Sequence, residues 1–333
     1  MAKKVQELSE IVKVENLKKY FPVQKSFLEQ LLARRIKYVK AVDGLTFSLK
    51  RSEIFTLAGE SGCGKTTTGR LIVRLLKPTS GKIFFNNSDV TELEGEKLRL
   101  LRRKMQIIFQ DPYASLNPRM NIGKAVGHPL EIHGLAKGDE KEKIVSDVLN
   151  SVGLTPPEQF IKLFPHQLSG GQRQRAALAR SIILQPELIV ADEPVSMIDV
   201  SLRTTIIDLM LHFRKELGLT YLFITHDLAV AKYVSDRIAI MYLGKIIELA
   251  SKERLFSNPT HPYTQALLSA IPVPDPARKR KTIELKGEVP SAINMPQGCR
   301  FNPRCPVKKD VCVLKEPELV EIEKDHFVAC HLD

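Results

Sequence analysis

The segment Gly59-Glu60-Ser61-Gly62-Cys63-Gly64-Lys65-Thr66 fits G-x-x-x-x-G-K-[ST] in full. Its three glycines let the backbone curl until successive N–H groups face inward at phosphate oxygens. It follows an apolar run, Ile54–Ala58, and opens a helical pattern, the context this motif requires. A helix start adds free N–H groups and the positive end of a dipole. Lys65 would reach the β- and γ-phosphates of a nucleotide, and the Thr66 hydroxyl would coordinate Mg2+. Gly59, Ser61, Gly62, Cys63, Gly64 and Thr67 would complete the cradle, with Cys63 read as a small filler rather than a redox switch.

Two further clusters carry chemistry. Leu188–Ala191 is an apolar run ending in Asp192-Glu193. Asp192, at the end of such a strand, is placed to hold the Mg2+ shell, and Glu193 to polarise an attacking water. Phosphoryl transfer asks a protein mainly for positioning and charge neutralisation, so one carboxylate for metal and one for water is enough. Leu168-Ser169-Gly170-Gly171-Gln172 is a second glycine-rich helix start. Ser169 reads as its cap, and the backbone amides could receive an anion.

These residues need a scaffold. Met105–Phe109, Leu188–Ala191 and Tyr221–Thr225 join Ile54–Ala58 as runs of buried-strand length. Helical patterns such as Thr67–Leu76 and Gln172–Ile183 lie between them, which predicts an α/β domain around a mainly parallel sheet. Ile238–Tyr242 and Lys245–Leu249 flank a Leu243-Gly244 turn and read as a late hairpin. The stretch from Pro112 to Pro165, with Lys141–Val152 as its clearest helix, reads as a helical insertion. Beyond Ala250 prolines recur at 259, 262, 272, 274, 276, 290, 296, 303, 306 and 317, so a loop-rich appendix is expected there, unable to build a large core alone.

The 333 residues carry a net charge of +12, which favours anionic partners without choosing among nucleotide, nucleic acid and lipid. Part of the excess sits in Arg278–Lys281, read as a solvated linker. No apolar stretch follows the lysines of MAKKVQELSE, against a secretory signal, and no window offers a membrane-spanning helix.

In combination, the Gly59 loop, Asp192-Glu193 and Leu168–Gln172 resemble the ABC ATPases, whose signature is the Ser-Gly-Gly-Gln element. The resemblance implies an α/β fold: a RecA-like P-loop ATPase core with a helical subdomain (about 113–175) within residues 1–250, then a C-terminal extension at 251–333. It implies ATP hydrolysis with Mg2+ held by Thr66, Gln110 and Asp192. Gln110 is similar to the Q-loop glutamine, and His226 to the switch histidine that contacts the γ-phosphate. Tyr20 is similar to the aromatic that stacks on adenine, although Gln24–Lys40 sets it further from the strand region than in compact members. Asp199 falls at the D-loop, where Met197-Ile198 depart from the common Ala-Leu. Ser169, Gly170, Gly171 and Gln172 would contact ATP held by an opposing subunit.

A narrower resemblance rests on Phe109–Pro118 and His261–Leu268, which are similar to oligopeptide/dipeptide importer ATPases. Gly59–Arg70 looks more like the second, F-type ATPase of such importers. The partners implied are a paralogous ATPase, two membrane permeases and an external solute-binding protein, at the cytoplasmic face of the membrane and without nucleic acid. Some relatives of this kind carry oligosaccharides or nickel. A non-transport ABC ATPase acting on nucleic acid is the rival reading that the +12 charge keeps open.

Cys299, Cys305, Cys312 and Cys330 follow C-x5-C-x6-C-x17-C, unlike the tight spacing of a zinc ribbon or a ferredoxin run. With no export signal, metal binding is favoured over disulfides. The family resemblance implies a four-iron, four-sulfur cluster; zinc and unmetallated thiols stay open. His326 and His331 are rival ligands in sequence but read better as surface histidines.

Overall fold

In the computed structural model the described residues are 9–23, 37–271, 283–285 and 287–331. The basic run Arg278–Lys281, most of Gln24–Lys40 and the N-terminal lysines lie outside them. In chain order the strands are β1 (Glu10–Pro22), β2 (Tyr38–Lys50), β3 (Ile54–Ala58), β4 (Ser80–Phe85), β5 (Ser88–Asp89), β6 (Met105–Ile108), β7 (Leu188–Asp192), β8 (Thr220–Thr225), β9 (Arg237–Tyr242), β10 (Lys245–Ser251), β11 (Val320–Glu323) and β12 (His326–Val328). All four apolar runs read as strands therefore are strands, and the late hairpin is β9–β10.

Two units can be separated. The first comprises Lys50–Ile54 and Glu92–Ile224. Its strands run β8-β7-β6, all parallel, with Met105 opposite Leu188 and Asp192 opposite Ile224. Every residue of β7 is buried, as a parallel strand covered on both faces requires. The stretch expected to be a helical insertion, Pro112 to Pro165, contains helices Ile122–Ile132 and Gly138–Ser151, and helix Gly170–Ile182 follows it. Ile122–Ile132 starts at Asn121, whose side chain accepts from the Lys124 N–H at 2.9 Å. A Cβ on Gly127 would meet Val145 at 3.0 Å, so glycine lets that helix approach its neighbour closely.

The second unit comprises Glu10–Leu49, Phe55–Thr91 and Thr225–Asp333. One sheet runs β2-β1-β4-β5; the other strands run β11-β12-β10-β9-β3, with β3 and β9 parallel and β9–β10 antiparallel. The segment after Ala250 does not stand apart. Leu255, Tyr263, Leu268, Phe301 and Cys312 share one core with Ala58, Ile238, Ile240 and Tyr242. Phe301 and Tyr263 meet edge-on at 5.4 Å between ring centres, and Tyr242 lies 4.8 Å from Tyr263. Burying one such ring is worth roughly 1.5–3 kcal/mol, which compensates for the missing periodicity.

Candidate functional site

The phosphate loop lies in the second unit. Helix Lys65–Ile72 begins at Gly64, whose backbone is left-handed (φ 106°). A Cβ there would sit 2.1 Å from the Ala41 carbonyl oxygen, and one on Gly59 would sit 2.3 Å from that of Met241. No side chain fits at either place, so these two glycines are steric necessities. The Lys65 ammonium is buried and donates to the carbonyls of Gly59 at 2.7 Å and Glu60 at 2.9 Å. A cation resting on carbonyl oxygens at the mouth of a curled loop is poised to exchange them for phosphate oxygens. Cys63 is buried, and burial pushes its thiol pKa up, consistent with an inert filler.

Glu60 carries the loop's outer side. Its N–H donates to the Tyr263 hydroxyl at 3.1 Å, and its carboxylate takes a fork of two hydrogen bonds from Arg304, at 2.7 and 3.0 Å. On the same unit, the Tyr20 hydroxyl donates to Asp43, which also pairs with Arg300. Burial and the Asp43 bond push the Tyr20 phenol up to about 12. Burial pushes the Asp43 carboxyl up, but hydrogen bonds from Tyr20 and Arg300 outweigh it and hold the group below its ordinary value. His226 is exposed, just past the end of β8.

The first unit holds Gln110, the two acids, the Ser169 segment and Asp199. Asp192 closes β7 at 2% exposure. Glu193 has φ 47°, a left-handed conformation rare for a non-glycine residue. Its N–H donates to Ile224 O at 2.9 Å, and its carbonyl accepts from the N–H and hydroxyl of Ser196. Strained backbone held from both sides is a recurrent feature of functional positions. Gln110 Nε2 donates to Glu193 Oε2 at 2.9 Å, so two residues 83 apart in sequence meet. Ser169 caps helix Gly170–Ile182 in a reciprocal box: its hydroxyl accepts from Gln172 N–H at 3.3 Å, and Gln172 Oε1 accepts from Ser169 N–H at 2.9 Å. Gly171 packs on Leu202, whereas a Cβ on Gly170 would meet only Met197 O, at 3.9 Å. That leaves the helix start open to a ligand. Asp199 is exposed and precedes helix Val200–Leu217.

Cys299, Cys305, Cys312 and Cys330 line a single small pocket in the second unit, with His331, Phe301 and Lys309. All are free thiols. Burial, then the neighbouring Cys312, Cys330 and Cys305, push the Cys299 thiol up to about 11. Among the described residues, no three His, Cys, Asp or Glu side chains close on a point that would hold one metal ion. His326 is not a surface histidine: it is fully buried, and its Nε2 lies 2.9 Å from Glu248 Oε1. Glu248, itself fully buried, also accepts from the N–H groups of Thr260 and His261. Burial pushes His261 down to about 3, and its Nδ1 accepts from Tyr263 N–H at 3.0 Å. Glu60 fills only a free position of the loop motif, and Asp43, Glu248, Arg300 and Arg304 carry none. Only the placing of two arginines between Cys299 and Cys305, in Arg300-Phe301-Asn302-Pro303-Arg304, could have flagged the last two.

Comparison with known proteins agrees with this geometry. Residues 42–196 match the family described as ABC transporter, and residues 247–312 match the oligopeptide/dipeptide transporter, C-terminal region. The chain is 49% identical to the oligopeptide transport ATP-binding protein AppF of Bacillus subtilis over 97% of both chains. It is 44% identical to the dipeptide transport ATP-binding protein DppF of Haemophilus influenzae over the full length of both. Among solved structures it is similar to the dimeric ATP-binding cassette MJ0796 bound to ADP and Pi, with a TM-score of 0.63 at 30% identity, covering 73% of this chain and 99% of that one. It is also similar to cbiO1 of Clostridium perfringens, part of the cbiONQ transporter complex, with a TM-score of 0.62 at 27% identity, covering 75% of this chain and 91% of that one. The chain has the RecA-like P-loop ATPase core and belongs to the ABC transporter family of ATP-binding subunits, in the branch that carries the oligopeptide/dipeptide C-terminal region.

Proposed function

We propose that this chain hydrolyses ATP to energise uptake of oligopeptides or dipeptides by an ABC importer. The observation that carries the reading is the presence, in one chain, of an intact phosphate loop and the oligopeptide-type C-terminal region. The relatives named for oligopeptide and dipeptide transport support the solute class. Membrane permeases, a paralogous ATPase and an external solute-binding protein are the partners this role requires. Among the described residues no helix is long and apolar enough to cross a membrane, so association with the cytoplasmic face would run through those permeases.

In this reading Lys65 gives up the Gly59 and Glu60 carbonyls for the β- and γ-phosphates, while the loop amides from Gly59 to Thr67 orient them. Thr66, Gln110 and Asp192 offer hard oxygen donors that suit Mg2+, which neutralises phosphate charge when bound. Glu193 polarises the attacking water, and its strained backbone with the Gln110 hydrogen bond fixes where its carboxylate points. His226 serves the γ-phosphate, and Tyr20 stacks on adenine. Ser169, Gly170, Gly171, Gln172 and Asp199 serve the nucleotide of the opposing subunit. Each chain thus lends its lid to its neighbour, and hydrolysis reopens the pair. The domain division proposed is 1–250 for this ATPase and 251–333 for the extension.

The four cysteines are proposed to hold a four-iron, four-sulfur cluster. What supports it is that four thiols, soft ligands of the kind such clusters take, line one pocket. Lys309 N–H already donates to Cys312 Sγ at 3.4 Å, the type of bond that tunes such sulfurs. Its role would be structural. Iron and acid-labile sulfide analysis of anaerobically purified protein tests this: four of each per chain are expected, and zinc or no metal would refute it.

The function is tested by reconstituting the chain with its permeases, paralogue and binding protein in vesicles. ATP-dependent accumulation of labelled peptides is expected. Accumulation of oligosaccharide or nickel without peptide, or salt-sensitive nucleic-acid binding without any uptake, would overturn it.

A further inference from the structure

We infer that Arg304, from the cysteine-bearing segment, is a positioning residue of the nucleotide site that neutralises and pins Glu60 at the mouth of the phosphate loop. The inference rests on the reading of Gly59–Thr67 as the site of ATP.

Glu60 is the one carboxylate within the loop, next to where a polyanion must enter. Left unpaired, it would repel the ligand that its neighbouring amides attract. Arg304, a residue only 8% exposed, removes that conflict with two parallel hydrogen bonds of 2.7 and 3.0 Å from its guanidinium. A planar fork on a carboxylate fixes orientation as well as charge. The Tyr263 hydroxyl takes the Glu60 N–H at 3.1 Å, and Lys65 takes its carbonyl at 2.9 Å. Glu60 is thus held at side chain, N–H and C=O together, and two of the three holds come from beyond residue 250.

Arg304 is itself braced from the C-terminal part. It follows Phe301, packed on Tyr242 and Tyr263, and it lies over the Tyr242 ring at 5.9 Å. Four residues earlier, Arg300 pairs with Asp43, which holds Tyr20. One short stretch between Cys299 and Cys305 therefore braces both the phosphate loop and the tyrosine proposed to meet adenine. The cysteine segment becomes a working part of the nucleotide site rather than a tail.

The test is calorimetric titration of ATP in EDTA into the full chain and its variants. Arg304→Met should weaken ATP binding by roughly three- to thirtyfold, the range for an unshielded charge near the protein surface. Adding Glu60→Gln to Arg304→Met should restore most of that loss, because the repelling carboxylate is then gone. Arg304→Lys, which keeps charge but loses the fork, should fall between wild type and Arg304→Met. A merely structural Arg304 would give a loss that Glu60→Gln does not repair, and that result would overturn the inference. So would unchanged affinity in Arg304→Met while Lys65→Ala still abolishes binding. If Lys65→Ala binds ATP as well as wild type does, the phosphate-loop reading fails, and this inference with it.

Discussion

The phosphate loop and the cysteine segment are both irregular stretches of the same unit, yet they are shaped by opposite means. The loop is shaped by main chain against main chain: Gly59 and Gly64 exist because carbonyls of Met241 and Ala41 lie where a Cβ would go. The cysteine segment is shaped by side chains reaching far in sequence, Arg304 to Glu60, Arg300 to Asp43 and His326 to Glu248. Where the backbone makes the site, residue types are fixed at fixed spacing and a motif results. Where long side chains make it, each contact depends on a partner elsewhere, and no local pattern forms.

Substitutions can break this contrast at either pole. Gly64→Ala should do most damage to the loop, since it combines a φ of 106° with an oxygen 2.1 Å away. ATP binding is expected to fall by more than about a hundredfold, as the loop backbone must shift to relieve the clash; calorimetry measures it. At the other pole, Glu248→Ala leaves two backbone donors and His326 without their buried acceptor. A loss of about 3–5 kcal/mol in denaturant unfolding is expected, against about 1–2 for Glu248→Gln, which keeps an acceptor. Equal effects would mean the carboxylate does not organise the segment.

An effect smaller than that of Glu248→Ala is pH-dependent. The Asp43 carboxyl is held below its ordinary value when folded. A depressed folded pKa stabilises above the unfolded value, near 3.9, and that stabilisation disappears as pH falls through the folded pKa. Wild type should exceed Asp43→Asn by about 2 kcal/mol at neutral pH. The two should begin to converge below about pH 4 and meet only once pH has fallen through the lower folded pKa. A difference independent of pH would show that the Arg300 pair adds nothing.

Much of the fold was legible because buried parallel strands leave apolar runs: Ile54–Ala58 and Leu188–Ala191 match β3 and β7 almost residue for residue. Helix ends were less so. The periodicity predicted Thr67–Leu76, whereas the helix spans Lys65–Ile72. It starts early because Gly64 supplies a left-handed cap, and it stops early because Arg74 turns left-handed (φ 56°) to give its Nε to Val90 O. After Ala250 the core residues Tyr263, Leu268, Phe301 and Cys312 are too scattered for any period to show. His326 was misread because its burial is compensated by Glu248, 78 residues away. Gln110 and Glu193 were each readable as site residues, but their hydrogen bond was not, since it depends on the positive φ of Glu193.

The most direct test of ATP hydrolysis at this site is Glu193→Gln, assayed with the paralogous subunit for both ATP affinity and phosphate release. The account predicts phosphate release lower by about a hundredfold or more, the scale of removing a residue that positions the reacting water, with ATP affinity within about threefold of wild type. Normal phosphate release in that variant would contradict it.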